Sequence, residues 1–234
     1  MATLNILSAG AAQAVVENVI AAYQRETGHG VQAEFGAVGA MKARMLTGVP
    51  VDVIVLTATL IDELIASGDV TAGSRVDLGK VGTGVAVRAD TPLPAVFNRT
   101  ALRGNILAAS VVVCPDPAVA TAGKIVMQML ERLGIRDEIG GRMKFFPNGN
   151  AAMRWLAGSA GANELGITQV TEILPNKGIA YAGPLPDEFQ AKATYSVGLA
   201  ARAPGAGLAR DFIARLTAPA ARPMLAAAGF EVGN

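Results

Sequence analysis

The side chains able to do chemistry in this sequence are mostly small hydroxyl and amide groups, and each stands beside the start of a predicted helix. They are Ser8, Thr121, Asn148, Asn150 and Gln169. Short polar side chains and the free backbone N–H groups of a helix start can hold an anion with neutral dipoles. This pattern favours binding and release of an anion over chemical turnover.

Six loops of small or polar residues each follow a predicted strand and precede a predicted helix. They cover residues 8–11, 36–40, 57–59, 121–123, 148–150 and 168–169. Ligands of doubly wound α/β folds bind beyond the carboxyl ends of the strands, so we expect the loops to converge on one cleft. The residues predicted to contact the ligand are Ser8, Ala9, Gly10, Val38, Gly39, Ala58, Thr121, Ala122, Asn148, Asn150 and Gln169. For any single loop, the alternative is a tight strand-to-helix connection without a ligand.

Three basic residues near these loops are candidate partners for a carboxylate. Lys42 and Arg44 follow the second loop, and Arg154 follows the fifth. The alternative is that each is a solvated residue on the surface of its helix, where charged side chains usually lie.

Groups that could support catalysis or bind a metal are scarce. His29 is the only histidine and stands between two glycines, and Cys114 is the only cysteine and lies in an apolar run. A buried, inert thiol is therefore expected, with no internal disulfide. Asp116 and Glu164 are single carboxylates near turns, where capping is the usual role. No nucleotide-binding glycine motif occurs, so we predict no catalytic residue, metal or cofactor.

Composition narrows the class of protein further. The 234 residues are 51% hydrophobic and 5% aromatic, which is typical of an α/β interior built from aliphatic side chains. A net charge of +1 gives no strong positive field that would attract nucleic acid. No stretch reaches the roughly 18 apolar residues of a membrane span. No signal-peptide pattern is present, so either the protein is cytoplasmic or a leader has been removed.

The order of predicted elements indicates an α/β fold of two doubly wound lobes. Three strand–loop–helix units fill the first 65 residues or so. We predict a first lobe of residues 1–80 and 203–234 and a second lobe of residues 81–202. Residues 78–88 and 194–202 each resemble a long strand, and we expect residues 194–202 to pair with residues 81–88 and form a hinge. Amphipathic helices near 208–216 and 219–228 are expected to pack on the first lobe.

Several segments together resemble the bacterial periplasmic molybdate-binding protein family, the solute-binding components of ABC transporters. They include LNILSAGAAQAVVENVIAAYQRETG, FGAVGAMKARMLTGVPVDVIVLTA, CPDPAVATAGKIVMQMLERLG and LTAPAARPMLAAAGFE. The resemblance runs nearly end to end. It implies two lobes of the type II periplasmic binding protein kind that close over a small anion. It also implies a periplasmic location and delivery of the ligand to a membrane permease, and we expect a monomer.

The sequence departs from that family at the positions expected to hold molybdate. Family members that bind molybdate present a serine in each of the first two loops and a tyrosine late in the second lobe. Here the aligned positions are Ala9 or Gly10, Val38 or Gly39, and Gln169. A tetrahedral oxyanion would lose up to three hydrogen bonds of about 1.5–3 kcal/mol each. We therefore predict a carboxylate or other organic anion as the ligand.

Two other functions stay open at this stage. Aconitate isomerase is similar to this family and uses the same scaffold as an enzyme. That resemblance implies a tricarboxylate pocket in which Lys42, Arg44 or Arg154 holds carboxylates, although the sequence offers no convincing base for the proton transfer. The third reading is a ligand sensor that works without a permease.

Overall fold

The computed structural model of the chain describes residues 2–233 and divides them into two compact units. The first unit contains the residues up to Val81 and those from Ala193 onward, and the second unit is Gly82–Lys192. The chain therefore passes between the units twice. The described strands are β1 (Thr3–Ala9), β2 (Gly30–Gly36), β3 (Val53–Thr57), β4 (Val76–Val81), β5 (Thr83–Arg88), β6 (Val111–Pro115), β7 (Met143–Phe146), β8 (Glu164–Gln169), β9 (Ile179–Pro184) and β10 (Ala193–Leu199).

Helices follow most of the strands, as the predicted α/β class requires. The described α-helices are α1 (Gln13–Thr27), α2 (Val38–Leu46), α3 (Ala58–Ala66), α4 (Arg99–Ala108), α5 (Thr121–Leu133), α6 (Arg136–Ile139), α7 (Gly149–Gly158), α8 (Val170–Ile173), α9 (Ala206–Thr217) and α10 (Arg222–Ala227). Short 3-10 turns occupy Gly10–Ala12, Gly140–Arg142 and Pro219–Ala221. None of the helices in residues 2–233 combines the length and apolarity needed to cross a membrane.

Each unit is built on one mixed five-stranded sheet. The first sheet has the order β2-β1-β3-β10-β4, in which β1 is parallel to β2 and β3 while β10 is antiparallel to β3 and β4. The second has the order β7-β6-β8-β5-β9, in which β6 is parallel to β7 and β8 while β5 is antiparallel to β8 and β9. In each unit, three consecutive parallel strands therefore end at the same edge of the sheet.

The core of the first unit forms where the sequence periodicity predicts. Val15, Val16, Val19 and Tyr23 of α1 are buried on one face of the helix. The ring of Tyr23 packs edge-on against Phe212 of α9, with 5.7 Å between the ring centroids. The prediction that the C-terminal helices pack on the first lobe is thus confirmed.

A buried carboxylate joins distant segments of the first unit. Asp52 is fully buried, and its Oδ2 accepts hydrogen bonds from the backbone N of Asn5 at 2.8 Å and from Asn5 Nδ2 at 3.1 Å. Its Oδ1 accepts from the backbone N of Gly205 at 2.6 Å, just before α9. One side chain therefore ties β1 and the start of α9 to the segment that leads into β3.

Cys114 lies in the core of the second unit, and we expect its thiol not to react in the folded protein. The residue is 0% exposed, and burial, together with the nearby Asp116, raises the pKa of the thiol to about 12. Because the thiolate is the reactive form, Ellman's reagent at about pH 8 should label the protein only after unfolding in urea. Rapid labelling of the native protein would contradict this packing.

The predicted two-strand hinge is wrong in its pairing. Residues 78–88 do not form one strand, because β4 and β5 belong to different sheets and the chain leaves the first unit at Gly82. β10 pairs with β3 and β4 and does not pair with β5. Only Gly82 lies between β4 and β5, so the sequence contains no loop at the point where the chain leaves the first sheet. Residues 193–202, predicted in the second lobe, lie in the first unit.

Candidate functional site

The helices that follow the three parallel strands of the first unit begin without a side-chain cap. They are α1 with its preceding 3-10 turn, α2 and α3, and their N-cap positions are Ala9 and Ala12, Ala37, and Thr57. None of these helices has an acidic residue in its first turn. The first N–H groups of a helix have no partner within the helix and carry a partial positive charge. This edge of the first sheet is therefore suited to an anion.

The predicted contacts Ser8, Ala9, Gly10, Val38, Gly39 and Ala58 all lie at these strand ends and helix starts. Val38 and Gly39 are in the first turn of α2, where a loop was predicted. The side chain of Ser8 is fully buried, and its hydroxyl donates to the backbone O of Ala9 at 3.1 Å. The hydroxyl proton of Ser8 is therefore already hydrogen-bonded within the chain.

In the second unit, α5 has the same uncapped start. Its N-cap residue is Ala120, which makes no side-chain cap, and its first turn has no acid. A Cβ on Gly123 would lie 2.4 Å from the backbone O of Pro115, so the helix start packs directly against the end of β6. Thr121 and Ala122, both predicted contacts, are the first two residues of this helix.

The start of α7 differs because side chains of the protein accept hydrogen bonds from its backbone N–H groups. Asn148 Oδ1 accepts from the backbone N of Ala151 at 2.9 Å, which is a conventional cap. Asn150 is buried, and its Oδ1 accepts from Asn176 Nδ2 at 2.9 Å. The structure thus gives the predicted ligand groups Asn148 and Asn150 partners within the chain.

Glu172 places its carboxyl group at the start of α7. Its side chain is buried, Oε1 accepts from the backbone N of Gly149 at 3.1 Å, and Oε2 accepts from Thr168 Oγ1 at 2.6 Å. Burial raises the pKa of the carboxyl, while these bonds and those from the backbone of Asn150 and Gln169 oppose the rise. The sequence analysis missed Glu172, for which the available signal was a carboxylate four residues after Thr168 in an apolar stretch.

The raised pKa of Glu172 leads to a prediction about pH. Between the pKa of Glu172 in the unfolded chain and its higher pKa in the folded protein, the folded state holds more protons. The contribution of Glu172 to the free energy of unfolding therefore falls as pH rises through that window. Glu172→Gln cannot ionise, so the unfolding free energy of the parent minus that of the variant should fall by about 1.4 kcal/mol for each pH unit by which the pKa is raised.

Urea unfolding of both proteins between about pH 4 and pH 8 measures this difference. Other carboxylates titrate equally in the two proteins and cancel. A difference that does not change with pH would contradict the assigned burial of the carboxyl.

Gln169 and Thr83 are buried polar residues whose side chains lack partners in the described part of the chain. Gln169 is 1% exposed, and neither its amide N nor its amide O has a hydrogen bond. Thr83 is 0% exposed, and its hydroxyl also lacks a bond, as does that of Thr171 on α8. Thr83 pairs with Gln169 across β5 and β8, so both lie at the edge where the parallel strands end.

The predicted basic residues differ in their surroundings. Lys42 Nζ forms an ion pair with Glu63, and Arg44 Nε lies 3.3 Å from Glu34 Oε2. Arg154 is exposed on α7 and has no ion pair among residues 2–233. Of the three, Arg154 is the one that could take up a ligand carboxylate without giving up a protein partner.

The described residues hold no metal-binding group of three or more histidine, cysteine or acidic side chains. A pocket of about 450 Å³ lies elsewhere in the second unit, lined by Arg88, Thr91, Asn105 and Glu164 among others. It adjoins the end of β5 and the start of β8, at the opposite edge of the sheet from Gln169. The pocket therefore does not include the helix starts described above.

The sequence places the chain in a known family. The model of the family described as bacterial extracellular solute-binding protein matches residues 4–231. The chain therefore belongs to the bacterial extracellular solute-binding proteins.

Similar proteins differ in what their names say they bind or act on. The aconitate isomerase of a Pseudomonas species is 29% identical over 202 residues, which are 83% of this chain and 74% of the relative. The periplasmic molybdate-binding protein of Azotobacter vinelandii superposes with a TM-score of 0.81 at 20% identity, over 99% of this chain and 100% of that chain. The sulfate-binding protein of Mycobacterium tuberculosis gives 0.74 at 17% identity, over 98% and 86% of the two chains. At these identities the two structures show a shared fold alone.

Proposed function

We propose that the protein is the solute-binding component of an ABC transporter and binds a small organic anion bearing carboxylate groups. The observation that carries this proposal is the capping pattern. The helices α1, α2, α3 and α5, which are the first α-helices after β1, β2, β3 and β6, have neither a side-chain cap nor an acid in the first turn. By contrast, α4, which follows a long loop, and α7, which follows β7, are capped by Asn98 and Asn148. The uncapped starts of α1, α2 and α3 lie at one edge of the first sheet, that of α5 lies at the end of β6 in the second sheet, and free N–H groups at helix starts favour anion binding.

The side chains at these helix starts favour a carboxylate over molybdate. Ala9, Gly10, Val38 and Gly39 offer no hydroxyl groups, and the hydroxyl of Ser8 donates to the backbone. Gln169 brings an amide whose N–H groups can donate hydrogen bonds to a carboxylate oxygen. The similarity to aconitate isomerase, whose name refers to a tricarboxylate, supports the same ligand class. Arg154 is available as a charged partner.

The family also supports the setting of this function. Because the family is extracellular, we propose that the protein works in the periplasm and passes its ligand to a membrane permease. A single chain that contains both units is compatible with a monomer. We propose no cofactor and no nucleic-acid partner.

A thermal-shift screen tests the proposed ligand class. The panel should contain di- and tricarboxylates together with molybdate, tungstate and sulfate, in a buffer without carboxylates. A ligand present at 100 times its Kd stabilises the folded state by about 2.7 kcal/mol, which raises the melting temperature measurably. We expect at least one carboxylate to do so and the inorganic oxyanions not to. Tight stabilisation by molybdate would overturn the proposal.

A second candidate function is isomerisation of aconitate, and the 29% identical relative is the observation that favours it. The reaction removes a proton from one carbon of the substrate and returns a proton at another, so it needs a base. Glu172 is the buried carboxyl nearest Gln169 in sequence, yet both of its oxygens already accept hydrogen bonds. Mixing the protein with cis-aconitate and following the trans isomer by NMR decides the question. No conversion at stoichiometric protein removes this candidate.

A further inference from the structure

The position of Thr83 in the second sheet brings its side chain beside that of Gln169. Thr83 begins β5, Gln169 ends β8, and the two residues are directly opposite in an antiparallel pair. Directly opposite residues point to the same face of a sheet. The start of an antiparallel strand therefore adds a hydroxyl group to the edge formed by the ends of the parallel strands.

The backbone of Thr83 is held firmly by another glutamine. Gln190 Oε1 accepts from the backbone N of Thr83 at 2.7 Å, and Gln190 Nε2 donates to the backbone O of Thr83 at 2.9 Å. The amide of Gln190 is thus used by the protein, whereas that of Gln169 is not. The Gln190 amide therefore has a structural role, whereas the Gln169 amide has no partner within the protein.

The unused groups at this edge define what a partner must offer. The Gln169 amide has two N–H donors and one acceptor oxygen, and the Thr83 hydroxyl can donate or accept. The side chains of Gln169 and Thr83 do not form a hydrogen bond with each other. The N and O of the Gln169 amide can be assigned in either orientation, and both orientations present one donor end and one acceptor end. Most buried polar groups in native proteins have a partner, so these groups indicate a partner from outside the chain, either water or a ligand.

We infer that the ligand is a hydroxycarboxylate and that Thr83 is a ligand contact, an inference that rests on the proposed carboxylate binding. A fully ionised oxyanion or simple carboxylate accepts hydrogen bonds only, so it would leave the Gln169 oxygen unpaired. A hydroxyl group on the carbon beside the carboxylate donates to that oxygen. The carboxylate then accepts from Gln169 Nε2 and from the hydroxyl of Thr83.

Isothermal titration with ligand pairs that differ by one hydroxyl group tests this inference. Suitable pairs are malate with succinate, and citrate with tricarballylate, because the members of each pair share charge and carbon chain. We expect the hydroxylated member of at least one pair to bind the parent protein about tenfold or more tightly than its partner. Gln169→Met and Thr83→Val should reduce that ratio to near one.

Control variants separate the site from general effects of the substitutions. Gln24→Met on α1 and Thr100→Val on α4 make the same changes at exposed positions and should keep the parent's ratio. Thr83→Ser retains the hydroxyl and should keep it too. A thermal melt checks that each variant is folded.

The outcomes separate the inferred hydroxycarboxylate contact from the proposed carboxylate binding on which it rests. Equal binding of both members of every pair, with carboxylates still bound, would overturn the inference and leave the proposed function in place. A ratio that survives in folded Gln169→Met would also overturn it. Failure of every carboxylate to bind the parent protein would overturn the proposed function itself.

Discussion

Replacing Gly149 by alanine is expected to lower the free energy of unfolding by about 3–5 kcal/mol. An added Cβ would lie 2.0 Å from Glu172 Oε2 and 2.1 Å from Thr168 Oγ1. These atoms cannot move aside freely, because the carboxylate is buried and bonded to Thr168 and to the backbone N of Gly149. The variant must therefore separate α7 from a carboxylate that then loses its hydrogen bonds.

Gly158→Ala is the matched control for this change. Gly158 is the last residue of the same helix, and an added Cβ there would meet nothing within 4 Å. Alanine is the better helix former, so this variant should be as stable as the parent or up to about 1 kcal/mol more stable. Urea unfolding followed by circular dichroism compares the two. Equal stability of Gly149→Ala and the parent would contradict the close packing of Glu172 against α7.

Replacing Asp52 by alanine is expected to cost about 3–5 kcal/mol of unfolding free energy in the first unit. The carboxylate accepts two hydrogen bonds from Asn5 and one from the backbone N of Gly205. Without it, two partly buried backbone N–H groups lose their acceptor, and the segment before α9 is released from β1. Loss of the hydrogen bond from the backbone N of Gly205 should also speed hydrogen exchange in the first turn of α9.

Asp62→Ala serves as the control for Asp52→Ala. Asp62 is an exposed residue of α3 that pairs with Arg75 at the surface, at 2.5 Å. Exposed ion pairs contribute about 0–1 kcal/mol, so this loss should be small. Chemical denaturation of both variants measures the contrast. Similar small losses for Asp52→Ala and Asp62→Ala would show that the Asp52 bonds do not stabilise the unit.

The sequence predicted well those features that depend on local pattern. The amphipathic spacing of Val15, Val16, Val19 and Tyr23 identified the buried face of α1, because a helix repeats every 3.6 residues whatever it packs against. The uncapped starts of α2 and α5 could be placed to within a few residues, since small residues there follow apolar runs.

The features that the sequence did not reveal depend on contacts between distant residues. Thr83 was not predicted because it begins an antiparallel strand, and its place beside Gln169 follows only from the register of β5 with β8. Glu172 was not predicted as the partner of α7, because that requires Gly149 to meet a carboxylate 23 residues later. Asn148 could have been recognised as a helix cap from its residue type alone.

The most direct test of the account is the melting-temperature shift produced by the best carboxylate of the screen in Thr59→Asp compared with Thr100→Asp. Both residues are exposed at the second position of a helix, Thr59 in the uncapped α3 and Thr100 in the capped α4. An acid in a first turn stabilises either helix by about 0.3–1 kcal/mol. If the helix starts hold the anion, Thr59→Asp should weaken binding by about tenfold through charge repulsion, while Thr100→Asp should bind like the parent. Equal ligand-induced shifts in the two variants would contradict the account.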